Sequence, residues 1–455
     1  MSNKTSLRDW KSWAALPAYV LVFLMLVFPM VFALRYVKVF LFALILATVV
    51  VIMLKTGRAG LHPLVGILTL SLSTLSFLFV LEGFFAGAAG AEQTALIYVV
   101  WPIIYALVIA GVRSKRIVFG LIGSMVLSII CIAIYSIAYL LIQTHIIPGS
   151  KYFDVISFDW QAQAFGLHDY IAMQFPGLNS LPFLVPFAVA ALVTFLPNTL
   201  ASLSLRRRWL WAAAFLGLAS VLISGRRALY LVTLTSPFLT WLFLSFQPMV
   251  ERHFSRKALI RVTASGVLAV VILLIALNGV YGVTLSGLAD RFSVGFNFSP
   301  TSEDEGTTER RMQFHALLAG WEENPLLGAG HGSPAFGSIR SEESPWNYEL
   351  HYVALLYQTG LLGLTAYAAG VFWIYWMGVR VIRAGGYLSA LMVACLVGMS
   401  SILVANATNP YLARYDGMWA IFLPLALINF WLMQRDVPQV QHLVVGREAD
   451  TDKCL

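Results

Sequence analysis

The chain has 455 residues, of which 59% are hydrophobic and 11% are charged, and its mean hydropathy is +0.79. Soluble domains carry about a quarter charged residues, so this composition excludes a soluble globular enzyme, a disordered chain and a fibrous protein. Apolar runs of about twenty residues recur along the whole length and predict a polytopic membrane protein. The net charge of +8 lies at the ends of these runs, where it sets topology, and we expect no nucleic-acid partner.

The apolar runs predict an all-α polytopic integral membrane protein that forms a single transmembrane domain over residues 1–455. We expect about twelve transmembrane helices. The first run lacks a small-residue cleavage site, and we expect it to be retained as a span. The predicted spans are 14–34, 39–54, 61–81, 94–112, 117–142, 181–200, 209–224, 228–247, 259–280, 352–377, 387–405 and 418–433.

The distribution of charge predicts which loops face the cytoplasm. With the N-terminus inside, the inner segments carry 20 of the 30 Lys and Arg residues but only 6 of the 22 acidic residues. Basic residues hold short loops in the cytoplasm, so we expect both termini to be cytoplasmic. Arg35 and Lys38, which this topology places in the first outer turn, oppose the rule.

Two outer segments are long, at 143–180 and 281–351, and the second is inserted before the last three spans. Loops beyond about fifteen residues are usually functional or disordered, so we expect any chemistry to face the periplasm. Within the second loop, residues 308–323 predict a short helix that lies at the membrane surface or dips into it, and Asn324-Pro325 ends it. The predicted apolar face of this helix comprises Met312, Ala316, Leu317, Ala319 and Trp321.

Three arginines of the large loop, Arg291, Arg310 and Arg311, are candidate ligands for an anion. The planar guanidinium group matches phosphate oxygens in a bidentate way. The alternative is ion pairing on a solvated face with neighbouring acids, which are Glu303, Asp304, Glu305 and Glu309.

Arg226 and Arg227 form a sharper candidate because they lie between two apolar runs with almost no loop. A charge at the centre of a membrane costs about 2.5–3.5 kcal/mol on insertion scales, so intramembrane arginines usually have partners. One interpretation is an anionic ligand such as a lipid phosphate at the outer membrane edge. The other is that both side chains extend to the lipid headgroups.

Glu349 and His351 are the best candidates for proton transfer. A carboxylate at a membrane edge can serve as a general base, and histidine titrates near neutral pH without any shift. The alternatives are that Glu349 favours a helix dipole at a helix start and that His351 packs between helices. No pair of His or Cys residues has the spacing of a zinc site, and no P-loop occurs, so we expect neither a metal nor a cofactor.

Three motifs, taken together, resemble those of the bacterial O-antigen ligase and polymerase superfamily of polytopic membrane glycosyltransferases. The first is Ser-Gly-Arg-Arg at 224–227. The second runs from Arg310 to Asn-Pro-Leu-Leu-Gly-Ala-Gly at 324–330. The third runs from Glu349 to Gly-Leu-Leu-Gly at 360–363. The general architecture, with a large periplasmic loop before the last three spans, is also similar.

The resemblance implies a metal-independent transferase in the bacterial inner membrane with its active site facing the periplasm. Its donor would be a glycan linked to undecaprenyl diphosphate. Its acceptor would be another glycan or the lipid A core, and a chain-length regulator or flippase would be a partner beside the membrane lipids. The family's arginines bind the donor diphosphate, a role that maps onto Arg226 or Arg227 and onto Arg310, with Arg291 as a further candidate.

The chain departs from the ligase pattern at one position. Ligases usually show a His-Asn pair at the entry to the Gly-Leu-x-Gly helix, and counting back from Gly360 places Glu349 at the position of that histidine. His351 follows two residues later and would face away once the helix has begun. Glutamate there resembles the polymerase members, so we favour a polymerase of repeat units of O-antigen, capsule or exopolysaccharide over a ligase.

Two hypotheses of other classes stay open. A transporter or flippase of lipid-linked oligosaccharide would show charges within its spans and broken helices in repeated halves. The sequence shows few central charges and no repeat, and most of its polar residues lie in one outer loop, which favours an enzyme. A purely structural membrane protein is the third interpretation, and the adjacent Arg226 and Arg227 argue mildly against it.

Overall fold

The computed structural model describes residues 15–29, 34–57, 60–149, 163–165, 171–195, 206–294, 305–337 and 344–451. Helices account for most of the described chain. A short antiparallel ribbon, Gln163–Phe165 with Ala172–Gln174, and a 3-10 turn at Pro176–Ser180 precede the sixth helix. The helices are α1 Leu16–Val27, α2 Arg35–Thr56, α3 Pro63–Phe85, α4 Ala91–Ala110, α5 Lys115–Gln143, α6 Leu181–Thr194, α7 Arg207–Ser224, α8 Arg227–Leu244, α9 Met249–Tyr281, α10 Leu285–Val294, α11 Glu305–Glu323, α12 His351–Arg383, α13 Gly386–Ala405 and α14 Trp419–Thr451.

The predicted all-α membrane architecture is confirmed in its coarse form. Each of the predicted runs overlaps one helix, and nine helices within the described residues are long and apolar enough to cross a membrane. In its described residues, the segment between α9 and α12 carries two further helices, α10 and α11. These sit where the sequence predicts the large loop, and α11 ends at Glu323, directly before Asn324-Pro325 as expected.

The core of the bundle is formed by α6 and α13. Every residue of α6 is buried, although Pro186 lies inside the helix. The two helices approach closely at Gly398 of α13, which has no side chain. A Cβ at this position would lie 2.8 Å from the ring of Phe183 in α6. Small residues at helix contacts are the usual means of close packing in membranes, where lipid supplies no hydrophobic drive for association.

The prediction that Arg35 and Lys38 lie in a turn is wrong, because both residues belong to the first two turns of α2. Lys38 is only 1% exposed. Its Nζ lies 3.7 Å from Oδ2 of the buried Asp416 and donates a hydrogen bond of 2.6 Å to the carbonyl oxygen of Phe28. A buried carboxylate therefore neutralises this buried lysine.

Contacts between connections show that the bundle has two ends. At one end, Ser180 before α6 donates to the carbonyl of Leu26 in α1 at 2.8 Å. At the same end, Tyr352 at the start of α12 donates to the carbonyl of Leu403 in α13 at 2.7 Å. We call this the loop end, because the connection from α9 to α12 starts and finishes there.

The opposite end carries the clusters of Lys and Arg at the helix termini, and we call it the basic end. There, Oε1 of Glu251 in α9 accepts the backbone N–H of Gly386 at 2.8 Å, and Asn429 of α14 accepts the N–H of His62 at 2.8 Å. Arg380 lies over the ring of Trp376, with 4.0 Å between guanidinium carbon and ring centroid. Aromatic rings and arginines at helix ends are typical of a membrane–water boundary.

Candidate active site

The candidate site is built around an ion pair between α11 and the residues that lead into α12. Nε of Arg310 lies 2.6 Å from Oε2 of Glu349, and the two side chains are 29% and 10% exposed. Both atoms are buried, and the contact is an ion pair rather than an aligned hydrogen bond. A pair that is partly shielded from water interacts more strongly than one on an open surface.

A glutamine holds the backbone of Glu349 in place. Gln313 is fully buried, its Oε1 accepts the N–H of Glu349 at 2.9 Å, and its Nε2 donates to Oε1 of Glu309 at 3.2 Å. Gln313 lies three residues after Arg310, so both side chains project from one face of α11. Sequence reasoning missed Gln313, although its spacing from Arg310 was a usable signal.

The buried face of α11 differs from the predicted apolar face. Gln313 and Leu317 are fully buried, whereas Met312 is 52% exposed and Ala319 is also exposed. The helix packs closely against α12. A Cβ on Gly320 of α11 would meet the ring of Tyr357 of α12 at 2.6 Å. Contact with α12 therefore selects which residues of α11 are buried within the protein.

Glu349 and His351 are close in sequence and both are buried, but they differ in their contacts. Glu349 lies before α12, and the backbone N–H of His351 donates to its carbonyl oxygen at 3.0 Å. The His351 side chain is 6% exposed and packs at the first residue of α12. Of the two predicted proton-transfer groups, the structure joins Glu349 directly to a candidate diphosphate ligand.

The second and third sequence motifs form one structural unit. Helix α12 is interrupted at Gly360, with φ 60° and ψ −168°. The loop 324–330 bridges the break through backbone hydrogen bonds, in which Ala329 and Gly330 donate to carbonyls before the break and Pro325 and Leu326 accept N–H groups after it. A Cβ on Gly328 would lie 2.6 Å from the backbone of the break. These two glycines are therefore required by a left-handed turn and a close approach.

A buried polar network lies beneath this loop and was not predicted. His331 stacks on Tyr98 with ring centroids 4.6 Å apart. Its Nε2 lies 2.9 Å from the hydroxyl of Tyr367, which lies 2.7 Å from that of Ser76, and its Nδ1 lies 3.4 Å from Oε1 of Gln358. Burial lowers the pKa of His331 to about 4, so the ring is neutral at pH 7 and can donate at one nitrogen while accepting at the other.

The other predicted arginines occupy different places. Arg226 caps the start of α8, and its Nη1 donates to Oδ1 of Asn179 at 2.7 Å. Arg227 and Arg311 are half-buried, in the first turn of α8 and on α11. Arg291 belongs to α10, but its side chain lies outside the described residues.

The turn that carries Arg226 also belongs to the loop end. Gly225 has a φ of 61°, and a Cβ there would touch the backbone of Ile171 beside the ribbon. Asn179, the partner of Arg226, lies in the 3-10 turn that leads into α6. The tight turn at 224–227 thus fixes one arginine at the end of the bundle that also carries the Arg310–Glu349 pair.

This arrangement supplies a cation for an anionic group and a carboxylate that can accept a proton, side by side and partly shielded from water. Such a pair suits a reaction in which a leaving group gains negative charge while a hydroxyl loses its proton. Comparisons of the chain with models of known protein families and with curated proteins gave no match.

Proposed function

We propose that the protein is a glycosyltransferase of bacterial polysaccharide assembly that polymerises repeat units of O-antigen, capsule or exopolysaccharide. The observation that carries the proposal is the ion pair between Arg310 and Glu349. It joins a residue of the second motif to the residue that begins the third motif. Chemically, it places a candidate diphosphate ligand next to a candidate general base.

The proposed topology has twelve membrane-spanning helices, namely α1 to α9 and α12 to α14. Both termini would be cytoplasmic, the basic end would face the cytoplasm, and the connection 281–351 would face the periplasm of the inner membrane. The concentration of Lys and Arg at one end of the bundle supports this orientation. The Lys38–Asp416 pair removes the main objection to it, because this outer lysine has a buried partner.

In the proposed reaction, the acceptor sugar hydroxyl attacks the anomeric carbon of a glycan carried on undecaprenyl diphosphate. The hydroxyl proton passes to Glu349, and the bond from the anomeric carbon to the diphosphate oxygen breaks. A new glycosidic bond and free undecaprenyl diphosphate result. Arg310, with Arg226, Arg227, and Arg291 or Arg311 as further ligands, would stabilise the charge that develops on the leaving diphosphate.

The ion pair suggests how donor binding would prepare the base. In the structure Arg310 is engaged with Glu349. A donor diphosphate carries more negative charge than a carboxylate and would compete for the same guanidinium group. An exchange of partners would release the Glu349 carboxylate from Arg310 to accept the proton of the acceptor hydroxyl, while Gln313 still holds the backbone of Glu349.

A lipid-linked oligosaccharide transporter is the second candidate, and two observations favour it. Helix α12 is interrupted at Gly360, and the Lys38–Asp416 pair lies buried in the bundle. Broken helices and intramembrane charges are features of transporters. However, the backbone groups at the break bond to the loop 324–330, and Lys38 bonds to the chain itself. Both features therefore have structural partners, and we favour the enzyme.

The first test is deletion of the gene in the producing bacterium, followed by analysis of surface polysaccharide on gels and of lipid-linked intermediates. A polymerase predicts single repeat units on the lipid A core or accumulated on undecaprenyl diphosphate. Long polymer on undecaprenyl diphosphate with a bare core would instead identify a ligase. Unchanged polysaccharide and intermediates would refute both, and translocation of labelled lipid-linked glycan by the purified protein in vesicles would favour the transporter.

The second test separates a catalytic ion pair from a structural one. Arg310→Glu and Glu349→Arg are expressed singly and together in the deletion strain, and membrane levels are measured by immunoblot. We expect each single variant to lose polymer formation on the order of 10²–10³-fold. The double variant restores the ion pair with its charges exchanged and should recover folding but not activity. Polymer formation by the double variant would show that the pair is only structural.

A further inference from the structure

The basic end contains an open cavity that the proposed reaction does not use. It has a volume of about 690 Å³ and is lined by Arg380, Arg383 and Ala384 from the end of α12 and by Trp431 and Arg435 from α14. Small-molecule sites commonly have volumes of about 300–1,000 Å³. The cavity is large enough for a polar headgroup, and among the described side chains that line it three are cations and none is a carboxylate.

Each of the three arginines is placed by an aromatic ring. The guanidinium carbon of Arg380 lies 4.0 Å from the centroid of Trp376, that of Arg435 lies 4.6 Å from the centroid of Trp431, and that of Arg383 lies 5.6 Å from the ring of Phe246. A ring contacts the face of a guanidinium group, whereas the five N–H donors lie in its plane. Ring contact thus orders the cations and leaves their donor edges suited to oxyanions.

The location of the cavity indicates the kind of anion. The three arginines are exposed, whereas Trp431 is 9% exposed, so charge and apolar surface meet where α12 ends and where the apolar part of α14 ends. Tryptophan and arginine in this arrangement are typical of the headgroup level of a bilayer. Basic pockets between helices at a cytoplasmic surface suit anionic lipid headgroups, because that leaflet is negatively charged.

We propose that this cavity binds a phosphate-bearing anion, and that its occupant is the headgroup of an anionic phospholipid. The headgroup phosphate would bind the donor edges of Arg380, Arg383 and Arg435, and the acyl chains would follow the apolar surfaces of α12 and α14. The site lies at the opposite end of the bundle from Arg310 and Glu349, so the inference rests on the proposed orientation of the bundle but not on the proposed transferase activity.

The test is a lipid titration of the full-length protein, purified in detergent and followed by native mass spectrometry. The probes are phosphatidylglycerol, cardiolipin and, as a zwitterionic control, phosphatidylcholine. The variant R380Q/R383Q/R435Q removes the cations of the cavity. A matched variant, R256Q/K257Q/R261Q, removes the same charge from exposed positions of α9 near the same end.

We expect anionic lipid to bind the wild type at least about 10-fold more tightly than phosphatidylcholine, since each basic residue near the headgroup adds to the attraction. The cavity variant should lose at least about 10-fold in affinity for anionic lipid, and the α9 variant less than about 3-fold. An equal loss in both variants would refute a specific site, as would no loss in either. Unfolding of the cavity variant is checked by its thermal melting, and R380K/R383K/R435K, which keeps charge, should retain part of the affinity.

A second arm distinguishes lipid from a soluble phosphate. Inorganic pyrophosphate is titrated against the wild type with and without bound cardiolipin. For a lipid site, pyrophosphate at millimolar concentration should leave cardiolipin bound. Displacement of cardiolipin together with tight binding of pyrophosphate alone would overturn the lipid assignment in favour of a soluble ligand.

Discussion

Arginine side chains have different partners at the two ends of the bundle. At the loop end, Arg310 lies 2.6 Å from a carboxylate that is itself 10% exposed. At the basic end, Arg208, Arg380 and Arg435 are exposed and lie over tryptophan rings. A guanidinium group is paired with an individual acid in the first case and with aromatic surface and solvent in the second.

This difference predicts where the molecule tolerates substitution. Water and headgroups can compensate for a charge lost from the basic end, because those side chains are already solvated. At the loop end, removal of Arg310 or Lys38 leaves a shielded carboxylate, Glu349 or Asp416, without the cation it faces in the structure. Breaking such a pair is costly, because the remaining charge stays away from water.

The largest effect is expected at the candidate base. Glu349→Gln keeps the size of the side chain but removes its ability to accept a proton, so polymer formation in isolated membranes should fall on the order of 10²–10⁴-fold. Glu323→Gln, at the exposed end of α11, is the matched control and should keep nearly full activity. If the two variants retained similar activity, Glu349 would not be the base.

The next effect concerns stability at the same end. Lys38→Met leaves Asp416 facing a buried apolar group and should lower the free energy of unfolding by about 3–5 kcal/mol. The double variant Lys38→Met/Asp416→Leu removes both charges and should recover most of this loss. Both are measured by denaturant titration in detergent. A single variant as stable as the wild type would show that the pair is not what holds α2 to the start of α14.

A third effect depends on pH and on His331 beneath the loop 324–330. Its pKa falls from an ordinary 6.5 to about 4 in the folded protein. Between these values the unfolded chain binds a proton that the folded chain does not, so stability is complete above pH 6.5 and falls as the pH is lowered towards 4. The full loss corresponds to about 3 kcal/mol.

The difference between the wild type and His331→Gln isolates this contribution from those of other titrating groups. Glutamine can still bond to Tyr367 and Gln358 but does not titrate. The melting temperature of the variant should therefore fall less steeply between pH 6.5 and 4 than that of the wild type. Parallel pH profiles for the two proteins would mean that His331 is protonated without cost and is more open to water than the structure indicates.

The helices were predictable because their signal is local. A run such as 117–142 can satisfy its backbone in a membrane only as a helix, and the structure has α5 at Lys115–Gln143. The end of α11 at Glu323 was predictable for the same reason, since the residue before a proline disfavours the helical region. The beginning of α2 was not, because Arg35 and Lys38 interrupt the apolar pattern and the buried partner of Lys38, Asp416, lies far along the chain.

The sequence indicated candidate residues for the site but not which of them would pair. The motifs indicated Arg310 and Glu349 separately. The local sequence does not predict that α11 packs on the start of α12, and this packing brings the two side chains together. The same packing turns Gln313 inward and Met312 outward, against the hydrophobic pattern of the helix. The glycines at Gly360 and in the loop 324–330 marked both segments in the sequence. That the loop bonds to the interrupted helix could not be predicted, because it depends on backbone hydrogen bonds between distant segments.

The smallest effect is expected at the basic end and sharpens the contrast between the two ends. Arg208→Gln removes an exposed guanidinium that lies over the adjacent Trp209, 5.7 Å from its ring centroid, and should change the free energy of unfolding by less than about 0.5 kcal/mol. Arg310→Gln removes the same charge at the loop end and should cost about 1–3 kcal/mol, between the costs of breaking a surface ion pair and a buried one. Denaturant titrations of the two variants in one detergent compare these costs directly. Equal costs would mean that the Arg310–Glu349 pair is as solvated as an ordinary surface arginine, and the shielding on which its proposed chemistry depends would be lost.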